Sequence, residues 1–489
     1  MGKRENMRLH FIHLLGFVVA EGVFASKCCD NLAQSLGQRV KFPNATGYAD
    51  TLAGYWSIQE SSIRPACVLR PATAQDVAAA VSVIGAVDDC HFAVKGGGHA
   101  PAAGFANAKD GVTIDMTGLA SISLNEDRSV AKVGAGAKWL DVYRHLDGTG
   151  VQVAGGRNGN VGVGGLLVGG GISHFTTSVG WACDLVVNYE VVLADGSLVN
   201  ASKNQNPDLF LALKGGANNY GVVTRYDLAT FPQGEDISVT SVSYDIAQRG
   251  AVFAAFTDLL DSSTYDPQAS LVMGLLYSSE SKAWKLSNSA VYSEPVAQPA
   301  VFEKLVSVPH LSVERNITTL AEFADETETP PLNWLFATET FKPSAEHMLE
   351  LFTALNETIS SFNPEGGVTW SIAFEPLVAA MLPEAHGPKK NLLGLESAQD
   401  GYIVLVSALW PNSSIEPDTQ TAARALISEW ESLAQEKGVL QRYQYLNYAA
   451  TFQHPLESYG AENLELLRGV SRKYDPMRVM QDRVGGFKL

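Results

Sequence analysis

The sequence lacks an excess of positive charge, low-complexity tracts, internal repeats and, beyond its N-terminus, long apolar runs. Its 489 residues carry 35 Lys and Arg against 52 Asp and Glu, a formal net charge of −17. Nucleic acids and anionic membranes repel such a chain, so we expect neither as a partner. No later segment has the apolar length of a membrane-spanning helix. A hydrophobic content of 46% in a chain this long instead predicts a folded protein of two or more domains.

Cysteine is scarce as well: the sequence holds only Cys28, Cys29, Cys67, Cys90 and Cys183. Their spacing fits no zinc-site pattern, and we predict no metal site. In an oxidising compartment, one bridge from Cys28 or Cys29 to Cys67 would tie the N-terminal segment to the first domain. Cys90 adjoins an apolar strand at 92–94, and this position predicts a buried thiol.

The N-terminus is typical of a secretory signal. Lys3, Arg4 and Arg8 precede a mostly apolar stretch at 11–20, and small residues lead to Ala25. We therefore predict a signal peptide at 1–25 and a protein that is secreted or held in the lumen of the secretory pathway. Asn-x-Ser/Thr sites agree with export and predict a glycoprotein, although the sequence leaves open which of them carry glycans: Asn44, Asn200, Asn316, Asn356 and Asn412.

Two glycine-rich runs are the most informative feature. Gly96, Gly97 and Gly98 lie between Lys95 and His99, and a second run covers 162–171. Glycine lets a backbone approach a bulky ligand and turn its N–H groups toward a phosphate. Neither run contains the G-x-G-x-x-G fingerprint of a Rossmann site or a Walker A loop. The runs predict a cofactor site of another kind, and the alternative is that the glycines only serve turns and bulges.

The pattern of predicted strands and helices changes near Pro232. Before it, short β-branched strands and helices surround the glycine runs, and after it longer strands and helices alternate. We expect a first domain at 26–235, a substrate-binding domain at 236–440, and a C-terminal segment at 441–489 that returns to the first domain.

Motifs in a fixed order resemble the vanillyl-alcohol-oxidase type of FAD protein, and the last two resemble its berberine-bridge-enzyme branch. The motifs are Arg70-Pro71, Lys95–His99, Gly134–Gly136, Val161–Gly165, Gly169–Gly171, Asp195-Gly196, Asp208–Phe210, Lys214–Gly216, Tyr445–Tyr448, Tyr474–Pro476 and Gly485–Leu489. The resemblance covers about residues 50 to 489, apart from much of the central domain. It implies an α+β, two-domain fold: a discontinuous PCMH-type FAD-binding domain and a mixed α+β substrate domain with an antiparallel sheet. We expect a monomer.

The resemblance also implies the cofactor site. In that family the histidine after the first glycine run bonds covalently to the 8α-methyl group of FAD, and His99 occupies its place. Many members add a cysteinyl link where this chain has Asn158, so we expect FAD to be covalent through His99 only, and a sugar substrate is disfavoured. Val161 matches a position said to admit dioxygen above the flavin. The cofactor-binding residues that we expect are Lys95, Gly96, Gly97, Gly98, His99, Ala100, Gly156, Asn158, Val161, Gly162, Gly164, Gly165, Gly170, Val223 and Asn447.

Flavin oxidation needs a base that takes a proton from the substrate. Alternation on a strand would place Tyr445 and Asn447 on one face and Tyr448 on the other. Either tyrosine is a candidate base, and Glu375, the only acid on the strand at 370–376, is a third. His174 and His386 are further candidates to face the substrate, although an isolated His or Glu is more often a satisfied structural residue.

The resemblance and the candidate base lead to one functional hypothesis and two alternatives. We expect an FAD-dependent oxidase that dehydrogenates a small organic substrate, of the secondary-metabolite kind, delivers hydride to flavin N5 and releases peroxide from dioxygen. The first alternative is a carbohydrate alcohol oxidase. The second is a flavin-containing isomerase or cyclase with no net oxidation.

Overall fold

The computed structural model describes residues 18–325, 331–362, 364–382, 391–395 and 398–489. The strands are β1 (Val40–Lys41), β2 (Cys67–Leu69), β3 (Phe92–Lys95), β4 (Val112–Asp115), β5 (Ile122–Leu124), β6 (Val130–Gly134), β7 (Val151–Gln152), β8 (Val186–Val192), β9 (Leu198–Ser202), β10 (Val222–Ala229), β11 (Phe231–Pro232), β12 (Asp236–Tyr244), β13 (Ala269–Ser278), β14 (Ala283–Tyr292), β15 (Ser312–Thr319), β16 (Asn333–Phe341), β17 (Thr369–Leu377), β18 (Gly401–Trp410) and β19 (Leu440–Gln441).

The helices are α1 (Val18–Leu36), α2 (Thr46–Ala53), α3 (Ile58–Ser62), α4 (Ala74–Gly85), α5 (Trp139–Leu146), α6 (Val163–Val168), α7 (Thr176–Val179), α8 (Pro207–Ala212), α9 (Arg249–Asp258), α10 (Glu303–Ser307), α11 (Leu320–Ala324), α12 (Ala345–Ser361), α13 (Glu416–Lys437), α14 (Pro455–Ser458), α15 (Ala461–Tyr474) and α16 (Val479–Asp482). None of them is long and apolar enough to cross a membrane. The predicted cleavage site after Ala25 falls within the bounds of α1, and the preceding residues 1–17 lie outside the described part.

Two sheets form the part of the fold that carries the glycine runs. One has the strand order β1-β2-β4-β3, with parallel pairing of β4 to β2 and β3. The other has the order β5-β6-β10-β8-β9 and is antiparallel. Helix α4 begins where a capping box forms, because Thr73 and Asp76 each accept a hydrogen bond from the other's backbone N–H. Strand β3 leads directly into the first glycine run, so this sheet fixes where that run starts.

Two disulfides tie the N-terminal segment to the first sheet. Cys29 is bonded to Cys67 and Cys28 to Cys90. The predicted bridge to Cys67 is confirmed, but the prediction that Cys90 is a buried free thiol is wrong. Adjacent cysteines on α1 reach different partners because Cys67 starts β2 while Cys90 lies just before β3. Among the described cysteines Cys183 alone is free, and it is buried.

The largest sheet is antiparallel and has the strand order β15-β12-β14-β13-β17-β18-β16-β19. Strand β13 shows the alternation expected of a sheet with one covered face, since Leu271, Met273 and Leu275 are all buried. Helix α12 buries Met348, Leu351 and Leu355, which follow a helical period. Helix α13 packs against α12 and β16. Glu375 lies on β17, an inner strand of this sheet between β13 and β18.

The C-terminal residues contact the first sheet. The backbone N–H of Phe92 on β3 donates to the carbonyl oxygen of Arg483 at 2.9 Å. Asn218 donates to the carbonyl oxygen of Gly485 at 2.9 Å, and the rings of Phe105 and Phe487 meet edge to face at 5.2 Å. These contacts agree with a C-terminal return to the first part of the chain, while the exact domain bounds stay a prediction.

Candidate active site

The two glycine runs pack directly on each other. A Cβ added at Gly97 would lie 2.4 Å from the backbone nitrogen of Gly162, and one at Gly162 would lie 2.3 Å from that of Gly97. Gly98 has a φ of +72°, and a Cβ there would lie 2.7 Å from the carbonyl oxygen of Gly54. These positions require glycine because backbone meets backbone. Packing within the protein therefore accounts for part of both runs.

Open space remains beside the same runs. A Cβ added at Gly165 would have no heavy atom within 4 Å. One at Gly96 would approach only the carbonyl oxygen of Ala135 at 3.4 Å and the backbone nitrogen of Gly165 at 4.0 Å. A ligand can thus reach the bare backbone at both positions, which is what a flavin nucleotide needs from its protein. The residues present fit such a cofactor.

His99 is held in a stack of aromatic rings. Its imidazole lies on the indole of Trp56, with ring centroids 4.2 Å apart and planes 13° apart. On its other side Trp56 stacks on Trp334 of β16 at 3.9 Å. Burial lowers the pKa of His99 to about 4, so its imidazole is neutral near pH 7. A neutral imidazole has the lone pair that a covalent bond to an electrophilic carbon requires.

The Lys95 side chain has its partners within the protein. It is 3% exposed, and its ammonium group lies 3.7 Å from Asp115 Oδ1 and 5.2 Å from the centroid of the Tyr55 ring. Burial lowers the pKa of Lys95, and the Asp115 carboxylate opposes that change. Because Asp115 ends β4, the pair fixes the end of β3 and the start of the first glycine run.

The other predicted cofactor residues lie along the two runs and on β10. Gly156 accepts a hydrogen bond from the Tyr143 hydroxyl at 2.6 Å, and Gly164 accepts one from Tyr226 at 3.1 Å. Asn158 Oδ1 accepts the backbone N–H of Asn160 at 2.8 Å, which shapes the turn before Val161.

Three further members of the predicted set are fixed by neighbouring elements. The carbonyl oxygen of Ala100 accepts a hydrogen bond from Ser57 at 3.3 Å. Gly170 has a φ of +107°, a conformation that favours glycine, and Val223 is buried on β10.

Tyr445, Asn447 and Tyr448 do not lie on a strand, so that prediction is wrong. The backbone N–H of Tyr448 donates to the carbonyl oxygen of Tyr445 at 2.9 Å and closes a short 3₁₀ turn at Leu446–Tyr448. The turn brings together the two rings that alternation would separate, with centroids 4.7 Å apart.

The Tyr445 hydroxyl joins this turn to the second glycine run. It accepts hydrogen bonds from the backbone N–H of Ile172 at 3.1 Å and from Asn447 Nδ2 at 3.0 Å. Asn447 Nδ2 also donates to the carbonyl oxygen of Leu166 at 3.1 Å. Burial raises the pKa of Tyr445 to about 12, while these donors oppose the rise. The phenol of Tyr445 is thus engaged in fixing the backbone.

Tyr448 belongs to a cluster with Glu375 and Arg157. Its hydroxyl donates to Glu375 Oε1 at 2.9 Å, and Arg157 Nη2 lies 2.6 Å from both the Tyr448 hydroxyl and Glu375 Oε1. Burial raises the pKa of Tyr448 well above its ordinary range, and the guanidinium of Arg157 opposes that rise. Such a cluster can accept a proton at the phenol while the phenol passes its own proton to the carboxylate.

Glu375 has one oxygen that remains available. The residue is 2% exposed, and its Oε2 has no hydrogen-bond partner among the described residues. A cavity of about 20 Å³ adjoins Glu375 and Arg157, lined in part by Ser173, Thr176 and Ser270. Its size is that of a single water site, and its walls are polar enough to hold one. A polar site of the size of one water therefore adjoins the carboxylate-bearing residue.

A glutamine behind the turn fixes its position against β16. Gln453 Oε1 accepts the backbone N–H of Ala450 and of Thr338, each at 3.0 Å. Gln453 Nε2 donates to the buried carboxylate of Glu339 at 3.0 Å, and burial raises the pKa of Glu339 well above its ordinary value. The large sheet thus supplies both Glu375 and the support of the Tyr448 turn.

Of the two candidate histidines, His174 lies beside the polar cavity. His174 is 8% exposed, and its Nδ1 lies 3.3 Å from the hydroxyl of Ser270, which lines the cavity. Burial, with the charge of Arg157, lowers the pKa of His174 to about 3, so this imidazole is neutral. His386 lies outside the described residues.

Sequence reasoning missed two side chains of the site. Arg157 directly precedes Asn158 at the second glycine run, and an Arg beside the expected cysteinyl position was a usable signal of a buried charge. Trp56 had no such signal, because only the fold brings residues 56, 99 and 334 together. No group of three or more His, Cys, Asp or Glu side chains within the described ranges is placed to hold a metal ion.

Comparison with known proteins identifies the domain and the relatives. An FAD binding domain family matches residues 65–202. The chain is 35% identical over 467 residues to the FAD-dependent monooxygenase tpcD of Cochliobolus heterostrophus, covering 92% of this chain and 89% of that protein. It is 32% identical to the bifunctional solanapyrone synthase of Alternaria solani, covering 87% of this chain and 82% of that protein.

Solved structures share the fold. A BBE-like 1 protein of Physcomitrella patens aligns with a TM-score of 0.77 at 20% identity, covering 93% of this chain and 98% of that one. The glucooligosaccharide oxidase of Acremonium strictum, which carries a 6-S-cysteinyl, 8α-N1-histidyl FAD, aligns with a TM-score of 0.73 at 22% identity, covering 94% and 99%. The predicted fold class is confirmed. The chain belongs to the FAD-dependent oxidoreductase family of tpcD, and it has the fold of BBE-like proteins and of the glucooligosaccharide oxidase.

Proposed function

We propose that this enzyme oxidises a small organic substrate of the secondary-metabolite kind, passes the electrons to dioxygen and releases hydrogen peroxide. The observation that carries the proposal is the cluster of Tyr448, Glu375 and Arg157. It provides a proton acceptor beside the second glycine run, because Tyr445 and Asn447 anchor the same turn to residues of that run.

We propose that the backbone at Gly96 and Gly165 receives the cofactor and that His99 forms its single covalent bond. When bound, FAD accepts two electrons from the substrate and passes them on. The side chain of Asn158 has no sulfur, so it cannot form a thioether like that of the glucooligosaccharide oxidase. Neutral His99, held by Trp56, suits the histidyl bond.

The proton step uses the chain's own groups. Tyr448 takes the proton from a substrate hydroxyl as its own proton moves to Glu375 Oε1, 2.9 Å away. Arg157 stabilises negative charge on either oxygen, since one of its nitrogens contacts both. Glu375 then holds the proton on Oε1, and the polar cavity that adjoins this residue offers a water site for its release.

The relatives support the substrate class. A bifunctional solanapyrone synthase is 32% identical to this chain, and the absence of a cysteinyl tether at Asn158 distinguishes the chain from the glucooligosaccharide oxidase. The relative tpcD is an FAD-dependent monooxygenase, and this favours a second candidate function, in which one atom of dioxygen enters the product. Half-buried Val161 in the second run is compatible with dioxygen access in either case.

The oxidase and the monooxygenase are distinguished by whether the atoms of dioxygen end in hydrogen peroxide or in the product. Purified enzyme is mixed without air with planar hydroxylated polyketides and with oligosaccharides, and loss of flavin absorption identifies the substrate. Reoxidation with isotopically labelled dioxygen then follows. We expect labelled hydrogen peroxide in equal amount to oxidised flavin and no label in the product. Label in the product would establish the monooxygenase, and reduction by oligosaccharides alone would overturn the substrate class.

Export of the protein is also a proposal. Two disulfides between α1 and the first sheet suit an oxidising compartment. We propose that residues 1–25 are removed in the secretory pathway and that the mature protein starts at Ser26. N-terminal sequencing of protein from the culture medium tests this, and intracellular protein that keeps Met1 would contradict it.

A further inference from the structure

We propose that Trp56 orients His99 for its covalent bond to FAD, and that Trp56 is itself held in place by Trp334 of the large sheet. The inference rests on the His99 tether proposed above. It assigns Trp56 a positioning role, because the indole stacks on the histidine that is to form the bond.

The ring stack is the first observation. His99, Trp56 and Trp334 form three successive layers, with centroid separations of 4.2 and 3.9 Å. The torsion that turns an imidazole about its Cβ–Cγ bond has broad, roughly two-fold minima, so the ring does not fix its own plane. An indole lying nearly parallel to it, at 13°, removes that freedom. Trp56 thereby fixes the plane of the imidazole, and with it the plane in which the nitrogen lone pair lies.

Backbone contacts on both sides of His99 come from the same segment. The backbone N–H of Trp56 donates to the carbonyl oxygen of Gly98 at 2.9 Å, and the Ser57 hydroxyl donates to that of Ala100 at 3.3 Å. The residues before and after the histidine are therefore tied to residues 56 and 57. Side chain and main chain of His99 are fixed by one segment.

The other end of that segment is bonded to β16. Gln59 Nε2 donates to the carbonyl oxygen of Trp334 at 2.8 Å, and the N–H of Trp334 donates to Gln59 Oε1 at 3.0 Å. The N–H of Ile58 donates to the carbonyl oxygen of Leu332 at 2.9 Å. Residues 56–59 thus join the first glycine run to the large sheet, and correct placement of His99 requires that sheet to be docked.

The bond-forming step defines what this geometry must achieve. A ring nitrogen of His99 bonds to the 8α-carbon of FAD while that methyl group loses a proton and the imidazole loses its N–H proton. The two electrons of the broken C–H bond reduce the flavin, which dioxygen reoxidises with formation of hydrogen peroxide. Attack requires the nitrogen lone pair to point at the carbon, and misplacement by about 1 Å can cost about 100-fold in rate.

The test measures covalent attachment and not turnover. Full-length apoprotein from a riboflavin-starved host is mixed with FAD under air, and acid-precipitated flavin is followed over time for the wild type, Trp56→Leu, Trp56→Phe and Trp334→Leu. Trp284→Leu is the matched control, since Trp284 is also half-buried against aromatic rings but lies on β14, away from His99. Thermal unfolding and non-covalent FAD content are recorded for each protein.

We expect Trp56→Leu to bind FAD but to attach it about 10- to 100-fold more slowly. Trp56→Phe, which keeps a stacking ring, should restore most of the rate, Trp334→Leu should fall between them, and Trp284→Leu should match the wild type. Equal rates for the wild type and Trp56→Leu would overturn the positioning role. A wild type without acid-stable flavin would instead overturn the tether itself. If Trp56→Leu does not fold, a wild-type rate in Trp334→Leu contradicts the role of the stack.

Discussion

The hydroxyl of Tyr448 donates a 2.9 Å hydrogen bond to Glu375 Oε1, across 73 positions of sequence. The tyrosine comes from a C-terminal turn and the glutamate from β17, so the bond forms only when the C-terminal segment lies against the large sheet. Arg157 contacts both oxygens at 2.6 Å and adds a residue from the segment that precedes the second glycine run. The cluster that we propose as the base is consequently built from three distant parts of the chain.

The first prediction concerns which group takes the proton. Tyr448→Phe and Glu375→Gln should each lower the rate of flavin reduction by about 10²- to 10⁴-fold, because each breaks the path from substrate to carboxylate. The measurement is anaerobic rapid mixing of holoenzyme with substrate at saturating concentration. Bound flavin should remain close to that of the wild type in both variants, whereas Glu375→Gln should also lower the melting temperature, because the buried Arg157 guanidinium loses its carboxylate partner.

Tyr445→Phe is the matched control for that prediction. The Tyr445 hydroxyl accepts hydrogen bonds from Ile172 and Asn447, and its loss should disturb the turn more than the proton path. We expect a smaller loss of reduction rate, with a lower melting temperature. If Tyr445→Phe stops reduction while Tyr448→Phe does not, Tyr445 is the base and the assignment is reversed.

The second prediction concerns the charge of Arg157. Burial raises the pKa of Tyr448, and the guanidinium opposes this rise. Arg157→Met removes the positive charge, so the phenol becomes harder to ionise and the pH of half-maximal flavin reduction should move upward. Arg157→Lys keeps a charge without the shared contact and should give a smaller upward shift. A pH profile that is unchanged in Arg157→Met would show that the cluster does not carry the proton.

The ordered motifs were enough to predict an FAD-dependent oxidoreductase and the antiparallel sheet. The tyrosine turn shows what a pattern cannot supply. Tyr445 and Tyr448 alternate like a strand, but the N–H of Tyr448 bonds locally to the carbonyl oxygen of Tyr445, and only tertiary contacts decide between the two. Trp56 was missed for the same reason, since its ring partners His99 and Trp334 lie far away in sequence.

Cysteine pairing illustrates a different limit. An oxidising compartment and the adjacent Cys28 and Cys29 were enough to predict a bridge to Cys67. Local hydrophobicity beside Cys90 favoured a buried thiol, but β3 lies in the same sheet as β2, and Cys90 therefore also faces α1. A cysteine can be both buried and disulfide-bonded, as Cys90 is, and the local hydrophobic pattern does not distinguish a buried thiol from a buried disulfide.

The third prediction separates the two disulfides. In Cys28→Ser, we expect Cys90 to react with an alkylating reagent while Cys67 stays bonded, and in Cys29→Ser the reverse. Each loss should lower the free energy of unfolding by about 2–4 kcal/mol, because the denatured chain gains freedom. Peptide mapping after alkylation without reductant checks the pairing. Alkylation of both Cys67 and Cys90 in a single variant would contradict it.

The last prediction divides the glycines into those that pack and those that face the cofactor. Gly97→Ala would place a methyl group 2.4 Å from the backbone nitrogen of Gly162. Neither backbone can yield cheaply, so the two runs must separate at a cost of about 1–3 kcal/mol. Gly165→Ala meets no protein atom within 4 Å and lies within α6, where alanine favours the helix, so its apoprotein should unfold at or above the wild-type temperature.

Added FAD should affect the two variants differently: it should bind Gly165→Ala weakly, and it should stabilise Gly97→Ala. In Gly165→Ala the new methyl group occupies the space that we assign to the cofactor, so FAD affinity and flavin content should fall while the fold is intact. Gly97→Ala should lose stability before FAD is added, and FAD should recover part of it by binding the native state. Calorimetry of both apoproteins with and without FAD measures the difference. If Gly165→Ala binds FAD as the wild type does, that open space is not part of the cofactor site, although the packing of Gly97 on Gly162 would still stand.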